Sequence, residues 1–472
     1  MAKIVILGAG LTGLSAAYHL EKNGFYDYKI FEKESQIGGL CKSIYQDGFT
    51  FDYTGHLLHI NDLYFRNLLE DIFGFDNLHT ITRRSFIYSH NIYTPYPYQI
   101  NLHGLPSGVI ADCIEGFVLR NSKISKARTP KKANSYYQWV LKNFGAGFGK
   151  HFFFPYQQKI FDYNVRKISD SWTGRFVPKT SLIKIIQGSI SQNKTQVQEN
   201  IGYNSQFFYP KKQGIFSLVK KLAKNLYNLI HTNFCAQVIN MRDKTITFKN
   251  GHIEKFDTLI TTLPLDILLN SLKETASLSL KNKSSKLLCN SVVNFNLGIF
   301  SQQSYEKHWI YFPEKQYPFY RMGFYHNFSR SMTPEGCSSL YGELSYIKKS
   351  KKFVQEKLDH SLSQAKKLLK ISNNDILTQK ILTVPRAYVI YDFWRDTNIH
   401  KIHTRLNEQN IYSIGRYGQW KYSSMQEAIF DGKLTVEKIL ETITFEKDKK
   451  YWHIIPELRK HHGPLGSDPK KI

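Results

Sequence analysis

Residues 3 to 13 read KIVILGAGLTG, an apolar, β-branched run that breaks on Gly8, Gly10 and Gly13 and passes into LSAAYHLEKNG, a helical stretch closed by Gly24. Strand, glycine turn and helix in this order predict a dinucleotide-binding α/β unit. Gly8 permits the tight turn, Gly10 lets backbone approach a pyrophosphate, and Gly13 lets helix and strand pack closely. The helix N-terminus then faces the anion. YDYKIFEK supplies a second strand, and Glu32 ends it where a carboxylate accepts ribose hydroxyls. Gly38 and Gly39, followed by Leu40, bring a further stretch of backbone to the same pyrophosphate.

The rest of the composition narrows the class. A chain of 472 residues, 42% hydrophobic, can bury a core divided over two or three domains. Five scattered cysteines with no C-x-x-C pair argue against a secreted disulfide framework and for a reducing cytoplasm. The chain enters its first strand without room for a signal peptide, and no apolar run reaches the length of a membrane span, so a cytoplasmic protein is expected. The net charge of +26 comes mostly from dispersed lysines, which read as solvated surface, and no nucleic-acid-binding pattern stands out. TGHLLH places His56 and His59 three apart with no third ligand near, so no metal is expected. No Ser-His-Asp or Cys-His arrangement has convincing spacing.

The Gly38–Gly39 pair after Glu32 resembles the large FAD-binding superfamily of amine oxidases and protoporphyrinogen oxidase, which implies FAD as cofactor. DTLITTLPLDIL (257 to 268) and NIYSIGRYGQWKYSSMQEAIFDGKLTVEKI (410 to 439) are similar to later pieces of such a flavin domain. In the second piece a strand ends at Gly415 and Arg416, and a helix begins near Ser423 or Ser424 with its N-terminus toward the flavin's pyrimidine edge.

Within that superfamily, residues 1 to 445 resemble the UDP-galactopyranose mutase family, in its longer eukaryotic form. The blocks that carry the resemblance are GGLCKSIYQDGFTFDYTGHLLHIND, YTPYPYQIN, FDYNVRKISDSWTGRFVP, GYNSQFFYP, HWIYFPEKQYPFYRMGFYHNFS and IYSIGRYGQWKY. The resemblance implies that Arg175 and Arg321 clamp the diphosphate of a nucleotide sugar such as UDP-galactose, a task suited to a fixed guanidinium fork. It places Tyr96, Gln99, Asn164 and Asn204 toward uridine, Trp309 and Tyr311 near the sugar, and Tyr388 and Tyr422 on the phosphates. It sets Arg416 on the FAD pyrophosphate, Gln426 beside the cofactor, and His56 next to the flavin in a loop whose freedom Gly55 supplies. The implied chemistry is interconversion of pyranose and furanose through a reduced-flavin N5-sugar adduct, without net redox change, for cell-surface polysaccharide synthesis. NAD(P)H is the reductant implied, and a homo-oligomer is compatible with the resemblance.

Three positions depart from the family pattern: Ile168 in place of a tryptophan, Phe328 in place of a tyrosine, and Gln426 in place of an asparagine. These leave the sugar and nucleotide open. Two other classes fit the scaffold: an FAD-dependent oxidase or desaturase of the amine oxidase type, and a non-catalytic flavin or nucleotide-sugar binder.

The fold expected is α/β with an α+β substrate part. A Rossmann-like FAD domain is assembled from residues 1–85, 212–266 and 400–445. A helical domain spans 104–190, and an antiparallel sheet carrying the substrate is built from 86–103, 191–211 and 267–399. KKSKKFVQEKLDHSLSQAKKLLKIS is expected to pack on that sheet as an amphipathic helix. Residues 446–472 read as a loose basic tail.

Overall fold

The computed structural model describes residues 3–120, 135–173, 177–191, 205–273, 278–301 and 305–454, the side chains of 278–279 and 444–454 excepted. Arg175, Asn204 and the tail beyond 454 lie outside the described residues.

The apolar runs noted in the sequence form the centre of a five-stranded parallel sheet. Its order is Ile411–Ser413, Thr258–Thr261, Ile4–Leu7, Tyr28–Phe31 and Ile230–His231. Every residue of Ile4–Leu7 and Thr258–Thr261 is buried, because both faces of a parallel sheet are covered. Helix α1 (Leu11–Lys22) crosses one face. It packs against a second helix of the same layer, Met425–Ile454, where Ser15 Oγ donates to the Ile429 carbonyl at 2.7 Å. Gly432 makes that crossing close, since a Cβ there would stand 2.6 Å from the Ala16 nitrogen.

A seven-stranded sheet forms the other half. Its order is Ile376–Val384, Ser291–Phe300, Cys337–Tyr346, Arg321–Gly323, Trp309–Tyr311, Ser85–Ser89 and Ile92–Pro95. Neighbours are antiparallel except Trp309–Tyr311 with Ser85–Ser89, which run parallel. The period-2 alternation of its strands divides two faces. Val293, Phe295, Leu297, Leu340 and Leu344 pack with Leu358, Ala365 and Leu369 of the helix Lys351–Leu369, the amphipathic segment read from the sequence. The opposite face carries the polar and aromatic residues described below.

Helices Ser107–Leu119, Tyr136–Phe148, Phe154–Phe161 and Leu182–Ile190 gather beside this sheet. The run SYYQWVLKNFGAGFGKHFFFPYQQKIF kinks at Gly145, where φ is +84°, and passes through a π turn over Gly149–Phe153 into the helix Phe154–Phe161. Gly145 is crowded by the neighbouring helix, where a Cβ would fall 1.9 Å from the Gly116 carbonyl oxygen.

Several boundaries differ from the sequence expectation. The division at 399/400 falls inside the helix Phe393–Asn407, which continues because nothing in its sequence breaks it. Leu78–Thr82 pairs with Gln206–Pro210, tying the first FAD segment to a substrate segment. The last helix runs to Ile454, so residues 446–454 are helical where a loose tail is expected. All five cysteines are unpaired. Among the described residues no helix is long and apolar enough to cross a membrane.

Candidate functional site

At the carboxyl end of the parallel sheet, backbone takes the place of side chains. Gly8 has φ +100°, and a Cβ on it would lie 2.1 Å from Thr262 Oγ1. A Cβ on Gly13 would lie 1.9 Å from the Gly8 carbonyl oxygen, so strand and helix touch here only because position 13 is glycine. Gly10 and Gly38 form an isolated parallel bridge, and a Cβ on Gly39 would stand 3.4 Å from the Gly10 Cα. The α1 N-terminus has no side-chain cap at Gly10, which leaves its first N–H groups for an anion. Glu32 is buried, and its carboxylate is fixed by the Ala9 N–H (2.8 Å) and the Glu34 N–H (3.0 Å).

The last piece of chain closes this cradle. Gly415, with φ +78°, lies against Thr12, where a Cβ would meet Oγ1 at 2.8 Å. Ser424 starts the helix Met425–Ile454 with a reciprocal cap: its N–H donates to Glu427 Oε2 (2.7 Å), and the Glu427 N–H donates to Ser424 Oγ (3.2 Å). Gln426 Oε1 accepts from the Asn61 N–H at 2.8 Å, joining this helix to the segment that carries His56. Arg416 donates from Nη1 to the Ser423 carbonyl (3.1 Å) and from Nη2 to the Ala387 carbonyl (3.0 Å). Its guanidinium stands over the rings of Tyr388, Tyr417 and Tyr422 at 5.5 to 5.8 Å. Arg416 Nε is buried and unpartnered, and no described carboxylate pairs with this cation.

His56 lies between the two halves. Its Nδ1 is buried without a partner, and its pKa is lowered to about 4, first by burial and then by the nearby Arg416, with Arg321 adding to the effect. The ring is therefore neutral at physiological pH. Gly55 also lets the chain approach the large sheet closely, since a Cβ on it would come within 2.4 Å of the Tyr341 hydroxyl.

On the sheet, three neighbouring strands align their side chains in one row. Tyr311 pairs with Arg321, and Arg321 pairs with Glu343. The Arg321 fork holds the fully buried Glu343 carboxylate, with Nε to Oε1 at 3.0 Å and Nη2 to Oε1 and Oε2 at 2.7 and 2.9 Å. Tyr320 Oη donates to the same carboxylate. Among the described residues Nη1 of Arg321 meets no acceptor. Tyr388 connects the row to Arg416: its ring centroid is 6.2 Å from Tyr320 and 5.9 Å from Tyr422. Leu40 packs into this cluster beside Tyr53 and Tyr156. Burial raises the pKa of Tyr311 and Tyr422, so both phenols stay protonated donors.

At the other end of the row Tyr96 lies 5.3 Å from Tyr311 with Arg83 over its ring at 4.9 Å. Gln99 is buried and donates to the Pro178 carbonyl at 2.7 Å. Trp309 shares the sheet face of Tyr311 and packs on Phe207. Asn164 stands apart: it is exposed, and its Oδ1 accepts from the Arg166 N–H at 2.9 Å in a local turn. Phe328 is buried among Phe207, Tyr209 and Tyr325, and Ile168 is buried in the helical core.

Sequence reasoning missed Glu343, Tyr320, Tyr156 and Arg83. For Glu343 a signal existed, since alternation in SSLYGELSY puts a carboxylate on the same face as Tyr341 in a strand flanked by apolar residues. The bare turn, fixed carboxylate, uncapped helix and buried unpaired guanidinium together fit a flavin dinucleotide. Gly8, Gly10, Gly13, Glu32, Gly38, Gly39, Gly415 and Arg416 would hold it.

Fold and cradle define a flavin-dinucleotide protein of the α/β class. The chain belongs to the family of flavin-containing amine oxidoreductases, whose profile matches residues 11–440. FAD is the cofactor this family implies. A crystal structure of reduced UDP-galactopyranose mutase is similar at TM-score 0.85 and 26% identity, covering 94% of each chain. A putative protoporphyrinogen oxidase from Exiguobacterium sp. 255-15 shares the fold at TM-score 0.71 and 17% identity, over 93% of this chain and 98% of that one. By sequence, 4,4'-diapophytoene desaturase from Staphylococcus aureus strain COL is 40% identical over 62 residues. That match spans 13% of this chain and 12% of the desaturase.

Proposed function

We propose that this flavoenzyme is a mutase of the UDP-galactopyranose mutase type, interconverting ring forms of a nucleotide sugar. One observation carries the reading: Tyr388 links the Tyr320–Arg321–Glu343 row to Arg416 and Tyr422, so that two guanidinium groups and several phenols gather in one cluster. The free Nη1 donor of Arg321 and the phenolic hydroxyls suit phosphate oxygens, whereas a hydrocarbon would leave these donors unsatisfied. The global likeness to the reduced mutase supports the same reading.

In this reading Nη1 of Arg321 takes a diphosphate oxygen while Glu343 holds the rest of the fork. Tyr388 and Tyr422 donate to the phosphates, and Arg175 supplies the second charge. Tyr311 and Trp309 border the sugar, and Tyr96, Gln99 and Asn204 the uridine side. His56, being neutral, adds no charge beside the ring system of the cofactor. Bound and reduced, the flavin supplies the nucleophile for the anomeric carbon; the chain's own residues hold the leaving diphosphate, orient the sugar and exclude water.

The test is conversion of UDP-galactofuranose to UDP-galactopyranose by FAD-loaded protein reduced anaerobically with dithionite, with oxidised protein as control and NADPH as an alternative reductant. Conversion confined to reduced protein is expected. Absence of conversion, with oxygen consumption on amines or desaturation of a polyene in its place, would replace the mutase by the oxidase or desaturase reading.

A further inference from the structure

We propose that Lys159 is a positioning residue for the hairpin that presents Tyr311 and Arg321, an inference that rests on the nucleotide-sugar reading above. Residues 312–320 join the strands Trp309–Tyr311 and Arg321–Gly323, so the two stems of this loop are the two substrate residues. The Phe312 N–H donates to the Tyr320 carbonyl (2.9 Å), closing the loop at its base. Inside it the ammonium of Lys159 donates to the carbonyls of Phe312 (2.7 Å), Glu314 (2.5 Å) and Tyr317 (2.7 Å), with that of Phe319 at 3.5 Å.

An ammonium taken from water needs compensation, and a carboxylate is its usual partner. No described carboxylate pairs with Lys159. Glu314, the acid of the loop, instead accepts from the His90 N–H at 3.0 Å, and Asp162 accepts from the Ile347 N–H at 2.9 Å. The neighbouring Lys357 donates to the Ser345 carbonyl at 2.7 Å. Lys159 therefore spends its hydrogen bonds on loop backbone, while Glu314 acts on its charge at longer range and burial lowers its pKa to about 7.

The same helix, Phe154–Phe161, grips the hairpin at one further place and the neighbouring strand Cys337–Tyr346 at another. One turn earlier Tyr156 sets its ring edge-on to Tyr311, 5.4 Å between centroids. The Lys159 carbonyl accepts from Ser345 Oγ at 2.5 Å, on the strand that carries Glu343. One helix thus fixes the loop, a stem and the carboxylate strand, and it sets where the Arg321 fork stands relative to the helical region.

The experiment compares FAD-loaded wild type with Lys159→Met and with Lys357→Met, which loses a lysine–carbonyl bond outside the hairpin. Hydrogen exchange of a peptide spanning 308–325 and the Kd for UDP by calorimetry are the readouts. K159M is expected to speed exchange of the Phe312 and Tyr320 amides and to raise Kd, each about tenfold or more, with bound FAD unchanged and K357M moving neither. Wild-type exchange in K159M, or an equal change in K357M, would overturn the positioning role. If K159M does not fold, Lys159→Gln, which keeps two donors, is expected to show intermediate exchange, and wild-type exchange there overturns the role equally. Failure of wild type to bind UDP would strike the nucleotide-sugar reading, while the exchange comparison still decides what Lys159 does.

Discussion

The cofactor cradle and the substrate row solve recognition in opposite ways. The cradle is made of backbone: Gly8, Gly10, Gly13, Gly38 and Gly39 remove side chains so that turn, helix and strand can approach. The row is made of side chains brought opposite one another on strands at 309–311, 321–323 and 337–346. Glycine roles travel with a short contiguous motif, whereas a row depends on register, which is settled only when strands pair. Errors should therefore be abrupt in the cradle and graded in the row.

The largest effect is expected at Gly13. A single methyl there would stand 1.9 Å from the Gly8 carbonyl oxygen, and neither backbone can yield without breaking the turn. Gly13→Ala should lose FAD on purification and fall in stability by about 3 kcal/mol or more, read by flavin absorbance and urea unfolding. Retention of stoichiometric FAD would show that cradle and row are equally tolerant.

In the row, Glu343→Gln leaves the Arg321 cation largely buried and without its countercharge. Unfolding free energy should drop by about 3 kcal/mol, and adding Arg321→Met should recover part of it, because a lone buried charge costs more than an absent pair. Additive losses in the double variant would show that the two residues act independently and that the row is not one unit.

How much was legible follows the same division. KIVILGAG with Glu32 and Gly38–Gly39 announced the parallel sheet and its ligand, because local chemistry there dictates backbone shape. SVVNFNLGIF and SSLYGELSY announced strands, but not that Glu343 would meet Arg321 and Tyr320. The close approach of Gly55 to Tyr341, a contact between residues 286 positions apart in the chain, has no local signature. The Lys159 bonds also run over long separations, to carbonyls that have no sequence signature.

Arg416 tests the cradle without altering its backbone. Arg416→Lys keeps a charge but loses the planar fork that spans the Ser423 and Ala387 carbonyls and leaves Nε free. FAD affinity should weaken about tenfold to a hundredfold, roughly 1.4 to 2.8 kcal/mol, measured by flavin fluorescence on reconstitution. An unchanged affinity would assign the free Nε elsewhere than the cofactor.

The smallest effect concerns His56, which touches both regions. Its folded pKa of about 4 lies below the ordinary value of 6.5, so below pH 6.5 the unfolded chain takes up the proton first. The stability it contributes is complete above pH 6.5 and is lost as pH falls toward 4, by about 1 kcal/mol per pH unit. His326, buried on the sheet with its pKa also lowered to about 4, should add a slope of the same sign. Comparing urea unfolding of wild type, His56→Asn and His326→Asn from pH 7 to 5 separates the two. Bound FAD should not alter the His326 share, but it should change that of His56 if this ring adjoins the cofactor. Equal slopes in apo and FAD-loaded protein for both variants would remove His56 from the cofactor's surroundings and leave it a buried histidine of the sheet interface.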